Sequence, residues 1–271
     1  MMIEPVRRYG YAWMEITSRC QLECVHCYAS SGPRGDHGVM TAADWMTTLG
    51  QAAVVGVHSV QFIGGEPTIH PELPALLERA ASLGLNIEVY SNLLRVPESL
   101  WQALVRSRSK LAISFYSTDV VEHRRITGRD GVSATMANLR EAVRRGIHVR
   151  AGVVKIIPGQ RVVEAATQLR EAGAAEVVID RMRLLGRPAP GANDEFQLCG
   201  RCGDGRFAVL PDGSLTPCPL ARWKRVGNVL RQPLADALTG MPAPAVSEGN
   251  ACFPANCLPM NDCAPNMRSR E

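Results

Sequence analysis

Three thiols lie within eight residues of one another, Cys20, Cys24 and Cys27, in the segment SRCQLECVHCY. Spaced by three and then two residues, they can hold three corners of a [4Fe–4S] cube and leave the fourth iron without a protein ligand. Ligation by four cysteines suits electron transfer, whereas ligation by three suits a cluster that binds something. A zinc site or a chance cluster is the alternative, although the spacing differs from the paired CxxC of zinc ribbons. Six more thiols, Cys199, Cys202, Cys218, Cys252, Cys257 and Cys263, fall in the last 73 residues, and none lies between residues 28 and 198. The chain begins MMIEPVRRYGYAWMEIT, without the apolar core of a secretion signal. A cytoplasmic protein with reduced thiols is therefore expected, which favours metal or redox chemistry over disulfides.

The elements that must position these thiols follow a βα rhythm. Strand-like runs at 13–17, 58–63, 86–90, 110–116, 148–156 and 176–182 alternate with helix-like stretches at 42–55, 72–83, 98–107, 134–145 and 162–172. Thr41 is a helix N-cap candidate, and Gly84, Gly146 and Gly173 stand where helix-closing glycines belong. The strands are nearly continuous apolar runs, as in a parallel sheet covered by helices. Six such units fit either an open doubly wound sheet or a partial barrel, and in both the chemistry belongs at the carboxyl ends of the strands. The segment LLGRPAPGANDEFQL breaks the rhythm and reads as a linker over 183–198. The cysteine-rich remainder, 199–271, carries one hairpin signal, FAVL-PDG-SLTPC, and a core too small to stand without cross-links.

Of the 271 residues 46% are apolar and 21% charged, the composition of a folded chain. No apolar run approaches the roughly 18 residues of a membrane span. The formal charge is only +4, and the 27 Arg and 3 Lys form no cluster, so neither a membrane nor a nucleic acid is an expected partner.

The C-x3-C-x2-C segment followed by Tyr28, after the first strand of an α/β array, resembles the radical S-adenosylmethionine (SAM) superfamily. Ile63-Gly64-Gly65-Glu66-Pro67-Thr68, ending the second strand, is similar to the family's GGEP segment, which binds the amino group of SAM's methionine moiety. Paired glycines let a backbone approach a ligand closely, and their carbonyls, helped by Glu66, suit an ammonium group. Tyr90-Ser91-Asn92 resembles the family's TN(G) segment, with Leu93 where glycine is common. Ser114-Phe115-Tyr116 resembles its S-L-D segment, with Tyr116 replacing a carboxylate that commonly faces substrate, and the stretch His123-Arg124-Arg125-Ile126-Thr127-Gly128 continues the match.

The resemblance implies a partial (β/α)6 barrel over 1–182, with cofactor contacts from Tyr28, Gly64, Gly65, Glu66, Pro67, Ser91, Asn92 and Ser114. Arg150, on the fifth strand, is expected to meet the SAM carboxylate. It also implies the mechanism: SAM chelates the open iron, the reduced cluster passes it one electron, and a 5′-deoxyadenosyl radical takes hydrogen from an unactivated C–H bond. His26, Asp36, His37, Tyr116, Asp119 and His123 are further candidates near the mouth, each with surface or structural duty as its ordinary reading. A polar SAM methyltransferase would need a glycine-rich first βα turn, which is missing.

The second cysteine group is similar to the SPASM/twitch extension of many such enzymes. Cys202, ten residues, Gly213, four residues and Cys218 follow its hairpin motif, and Cys257 and Cys263 keep its later spacing. Cys252 lies five positions before Cys257 rather than three, and Met267 stands where a final cysteine belongs. Two fully ligated auxiliary cubes need eight cysteines and only six are present. One auxiliary [4Fe–4S] cluster that includes Cys202 and Cys218 is expected, with two incompletely ligated clusters or a structural zinc site as alternatives. A spare thiol could quench a substrate radical, as an epimerase requires.

SPASM relatives mostly modify ribosomally made peptides by cross-linking, epimerisation or oxidation, so a peptide maturase of natural-product biosynthesis is the expectation. The alternatives are radical modification of a small metabolite (a sugar, nucleoside or cofactor precursor) and a non-catalytic iron–sulfur electron carrier. About twelve residues precede the first strand, too few for an N-terminal leader-binding domain. A separate leader-binding protein or a leaderless substrate is expected, with a flavodoxin- or ferredoxin-like reductant.

Overall fold

The computed structural model describes residues 9–242, so Cys252, Cys257 and Cys263 lie outside the described residues. Its first part is the anticipated alternation: β1 (Tyr11–Glu15), α1 (Ala42–Val54), β2 (Ser59–Ile63), α2 (Leu73–Ser82), β3 (Asn86–Ser91), α3 (Glu98–Arg106), β4 (Lys110–Phe115), α4 (Val120–Thr127), α5 (Val132–Arg144), β5 (Val149–Lys155), α6 (Val162–Glu171) and β6 (Glu176–Arg181). The six strands pair in parallel in the order β6-β5-β4-β3-β2-β1 and the sheet does not close, so the barrel is partial.

Cβ alternation divides each strand between two environments. Ala12, Met14, Val60, Phe62, Ile87, Val89, Leu111, Ile113, Val149, Ala151 and Val153 join the main core beneath the helices. The helices answer with buried faces such as Leu100, Trp101 and Leu104 of α3, each worth roughly 1.5–3 kcal/mol. The opposite strand face carries Trp13, Gln61, Glu88, Tyr90, Ser114 and Arg150 and forms the interior of the half-barrel. Thr41 closes a reciprocal capping box with Asp44 at the start of α1. Gly84, Gly146 and Gly173 take positive φ just after α2, α5 and α6. The sequence reading missed α4, a short polar helix capped by Asp119 and closed by Gly128 in the left-handed region.

Beyond β6 the chain returns to the free edge of β1. The anticipated hairpin is present as β7 (Arg206–Val209) and β8 (Ser214–Thr216), followed by β9 (Gly227–Asn228) and α7 (Leu234–Leu238). β7 pairs in parallel with β1, Tyr11 against Arg206 and Met14 against Val209, so one sheet of nine strands runs through both parts. Phe207 reaches the main core and meets Tyr9 edge-on at 5.7 Å. This pairing covers an edge that would otherwise present unpaired backbone groups.

Candidate active site

The cysteine loop leaves β1 at the carboxyl end of the sheet and is braced from three sides. Cys20 N donates to Gly32 O at 3.0 Å, and Ser18 N and Arg19 N both donate to Asp36 O. The last carbonyls of α4, which have no partner inside the helix, accept from the loop: Glu23 N to Thr127 O at 3.0 Å and Val25 N to Ile126 O at 2.9 Å. The sulfurs receive hydrogen bonds too. Cys20 Sγ accepts from Leu22 N at 3.4 Å and Asn92 Nδ2 at 3.7 Å, and Cys27 Sγ accepts from Ser31 N at 3.3 Å. Burial pushes the Cys20 thiol up to about 12 and Cys24 higher still. A bound metal reverses that preference, because it stabilises the thiolate.

Cys20, Cys24 and Cys27 line one cleft at the carboxyl ends of the strands. Tyr28, Gly64, Gly65, Ser91, Asn92 and Ser114 line the same cleft, as do His26, Tyr116, Met182, Arg183 and Leu220. Three soft thiols on one wall, two of them already receiving N–H donors, with polar strand ends opposite, fit an iron–sulfur cluster and a bound small molecule. Among the described residues no three His, Cys, Asp or Glu side chains are arranged around a single metal ion.

Three of the anticipated cofactor contacts do not reach the cleft. Glu66 is buried and faces away, its Oε1 accepting from Ser91 Oγ at 2.7 Å and Thr68 N at 3.0 Å, its Oε2 from Asn92 N at 2.7 Å. It joins the β2 end to the β3 end behind the lining, with Pro67 opening the short helical turn beside it. Arg150 lies a layer deeper. Its guanidinium grips Glu88, Nε to Oε1 at 2.8 Å and Nη2 to Oε2 at 2.6 Å, and its Cζ sits 5.9 Å from the Tyr90 ring that contributes to the cleft. Register explains the offset: Arg150 stands opposite Ala112, two residues below Ser114.

The glycine pair also has a local duty. A Cβ on Gly64 would meet Thr17 O at 2.5 Å and one on Gly65 would meet Arg19 O at 2.3 Å. Gly65 N and Glu66 N donate to those same carbonyls at 2.7 and 2.9 Å. The close approach anticipated for a ligand is made first to the backbone that carries Cys20.

The remaining candidates separate cleanly. His26 and Tyr116 face the cleft with ring centres 4.7 Å apart, and burial lowers His26 to about 3. His123 packs behind Phe115 and Tyr116, and Asp119 caps α4. Asp36 holds Ser18, while His37 contacts Thr17 Oγ1 at 3.0 Å and the His70 ring at 4.7 Å. Glu15, at the end of β1, is fully buried and ion-paired with Arg222.

The 183–198 segment, read as a linker, supplies residues that the sequence did not point to. Gly186 takes φ +66 and packs on the Tyr28 carbonyl, where a Cβ would stand 2.1 Å away. Arg187 then reaches into the cysteine loop, with N to Cys27 O at 3.0 Å and Nη2 to Ser31 O at 2.7 Å; Nη1 donates to Cys24 O. The only trace in sequence is a Gly-Arg pair among other turn residues. Farther along, Cys202 Sγ lies 3.3 Å from Cys218 Sγ, and Cys199 is the leading neighbour raising the Cys202 thiol. These sulfurs pack against a cluster with Trp13, Ile63 and Tyr90 on the inner barrel face.

The model of the radical SAM superfamily matches residues 14–167, and that of the SPASM iron–sulfur cluster-binding domain matches residues 199–264. A PqqA peptide cyclase of Gluconobacter oxydans (strain 621H) is 30% identical over 175 residues, which cover 64% of this chain and 49% of that protein. A PqqA peptide cyclase of Xanthomonas campestris pv. campestris (strain B100) is 40% identical over 81 residues, 30% of this chain and 20% of that one. The chain thus spans half or less of these curated relatives. Among solved structures, Streptococcus suis SuiB bound to precursor peptide SuiA superposes with a TM-score of 0.73 at 17% identity, over 85% of this chain and 64% of that one. Native anSMEcpe with bound AdoMet superposes with a TM-score of 0.68 at 15% identity, over 86% and 80%.

Proposed function

The chain belongs to the radical SAM superfamily, and from that premise we propose that it modifies a ribosomally made peptide by radical chemistry. The observation that carries the reading is convergence: Cys20, Cys24, Cys27, Gly64, Gly65, Ser91, Asn92 and Ser114, from four strand ends, line one cleft. Cys20, Cys24 and Cys27 would hold a [4Fe–4S] cluster with an iron open to SAM, and the pair supplies a 5′-deoxyadenosyl radical for hydrogen abstraction.

The chain's own residues then bind, orient and exclude water. Carbonyls of the glycine turn suit the SAM ammonium, while Ser91, Asn92 and Ser114 offer hydrogen bonds from the strand ends. Tyr116, Val154, Met182 and Leu220 complete an apolar wall that keeps solvent from a reactive intermediate. Residues 1–182 serve as the catalytic barrel, and 199–271 as an auxiliary iron–sulfur unit reached through 183–198. Cys199, Cys202 and Cys218, with one further cysteine of the C-terminal segment, would ligate one auxiliary cluster. A peptide substrate is supported by relatives named PqqA peptide cyclase and by the fold shared with SuiB, solved with its precursor peptide. Oxidoreductase or isomerase chemistry, a flavodoxin- or ferredoxin-like reductant and a separate leader-binding protein complete the proposal.

The test is anaerobic incubation of the reconstituted protein in D2O with SAM, dithionite and the short peptide encoded beside its gene, followed by peptide mass. A loss of two hydrogens is expected for a cross-link or oxidation, and a gain of one deuterium for epimerisation with a thiol donor. Steady 5′-deoxyadenosine release with an unchanged peptide would replace the peptide by a small metabolite.

A further inference from the structure

Arg187 lies outside every motif that carries the family resemblance, yet it is bound to two of the three cluster cysteines. Its side chain donates to the carbonyls of Cys24 and Ser31 and its backbone N to the carbonyl of Cys27. Gly186 lets the segment lie this close, since no side chain fits between it and the Tyr28 carbonyl. The fork of a guanidinium reaches two acceptors at once, which lysine cannot reproduce.

The charge matters as much as the fork. Arg222, another cation near the loop, is paired with the buried Glu15, and Arg183 lines the cleft with one guanidinium nitrogen on the Gln197 carbonyl. Arg187 takes part in none of the ion pairs among the described residues, and both guanidinium bonds end on neutral carbonyls. Its guanidinium lies on the Cys24 carbonyl, one residue's backbone from the sulfur that would hold iron. A cluster on three thiolates gains one negative charge on reduction, so a cation beside it stabilises the reduced state.

We propose that Arg187 is a positioning residue that clamps the cysteine loop and, as a cation beside Cys24 that no ion pair among the described residues holds, raises the reduction potential of the cluster held by Cys20, Cys24 and Cys27. The proposal rests on the radical SAM reading and adds a regulator of how readily the cluster accepts its electron.

The test is a dithionite redox titration of the full, anaerobically reconstituted chain, following the electron paramagnetic resonance signal that changes shape when SAM is added. Arg187→Gln should lower the reduced-to-oxidised ratio at a fixed poise about tenfold, which is about 59 mV for one electron. Arg187→Lys keeps the charge and loses the fork, so its ratio should stay within about threefold of the parent while a chelator strips its iron faster. Gly32→Asp offers a second route that leaves Arg187 in place. A Cβ there would stand 3.8 Å from Arg187 Nη2 and 4.0 Å from Glu23 Oε1 with ordinary clearance, so a second carboxylate beside Glu23 would offset the charge without removing the clamp. It should lower the ratio in the same direction as Arg187→Gln, and it decides the matter should Arg187→Gln fail to hold iron. An unshifted potential in Gly32→Asp with the iron retained would overturn the proposal, as would equal shifts in Arg187→Gln and Arg187→Lys. Absence of any SAM-sensitive signal in the unaltered chain would instead overturn the functional reading beneath it.

Discussion

Glu66 serves the cleft without lining it. Its carboxylate accepts from Ser91 Oγ and from the backbone N–H groups of Asn92 and Thr68, holding the β3 end at the position from which Ser91 and Asn92 face the cleft. Glu66→Gln turns an amide donor toward one of these donors. It should cost about 2–4 kcal/mol in urea unfolding and weaken SAM binding in equilibrium dialysis. Unchanged SAM affinity would show that the β3 end is held by other means. Leu93 is the companion case. It takes φ +54 and is fully buried, so the position that favours glycine in the family has here a left-handed leucine. Leu93→Gly relieves about 1 kcal/mol of backbone strain but removes a core side chain worth about 2–5 kcal/mol, and net destabilisation is expected in thermal unfolding. The residue types of GGEP and YSN were legible in sequence. The direction Glu66 faces was not, because spacing places a residue on a turn without saying which wall its carboxylate ties. The layer that Arg150 occupies was not legible for a related reason: it depends on strand register.

Among the elements, the turn after β2 and the loop after β1 form one unit. Gly65→Ala would drive a Cβ into the Arg19 carbonyl and separate them. Iron loading should fall severalfold in Gly65→Ala. Gly84→Ala, at φ +71 with open space around it, should cost only about 1 kcal/mol and load iron normally. Strands and major helices were legible because apolar runs and helix caps are local signals. The short helix α4 was not, since its polar sequence shows little periodicity, and its value to the site lies in carbonyls offered to Glu23 and Val25. Helices α3 and α5 are joined on the outside by Arg145, paired with Glu98 and Glu141. Hydrogen bonds from Arg144 and Arg145 hold Glu141 down at about 2, and those from Arg145 hold Glu98 below its usual range. A carboxylate with a lowered folded-state pKa contributes stability that is present above its unfolded value of about 4.3 and lost as pH falls toward the folded one. Glu141→Gln should therefore lower Tm at pH 7, with the difference from the parent shrinking between about pH 5 and pH 2.

Across the whole molecule, the sheet continues from the half-barrel into the C-terminal hairpin. β7 covers the free edge of β1, and Phe207 and Leu234 enter the same core as Met14 and Trp45. A chain ending at residue 198 should therefore lose solubility and cooperative thermal unfolding. Full retention of both would show that the barrel stands without that pairing. Sequence placed a boundary near residue 183 because composition changes there; a parallel pairing between residues nearly two hundred positions apart leaves no local signal. Ile63, Tyr90 and Leu220 line the cleft and also pack in the cluster that contains Cys202 and Cys218, so the two thiol groups share one interior. On the proposed function, this interior cleaves SAM reductively. The most direct test is to mix anaerobically reconstituted protein with SAM and dithionite and quantify 5′-deoxyadenosine by chromatography and mass spectrometry. Release is expected from the parent and none from Cys24→Ala. No deoxyadenosine from a parent carrying its full iron and sulfide would contradict that function and leave an electron carrier in its place.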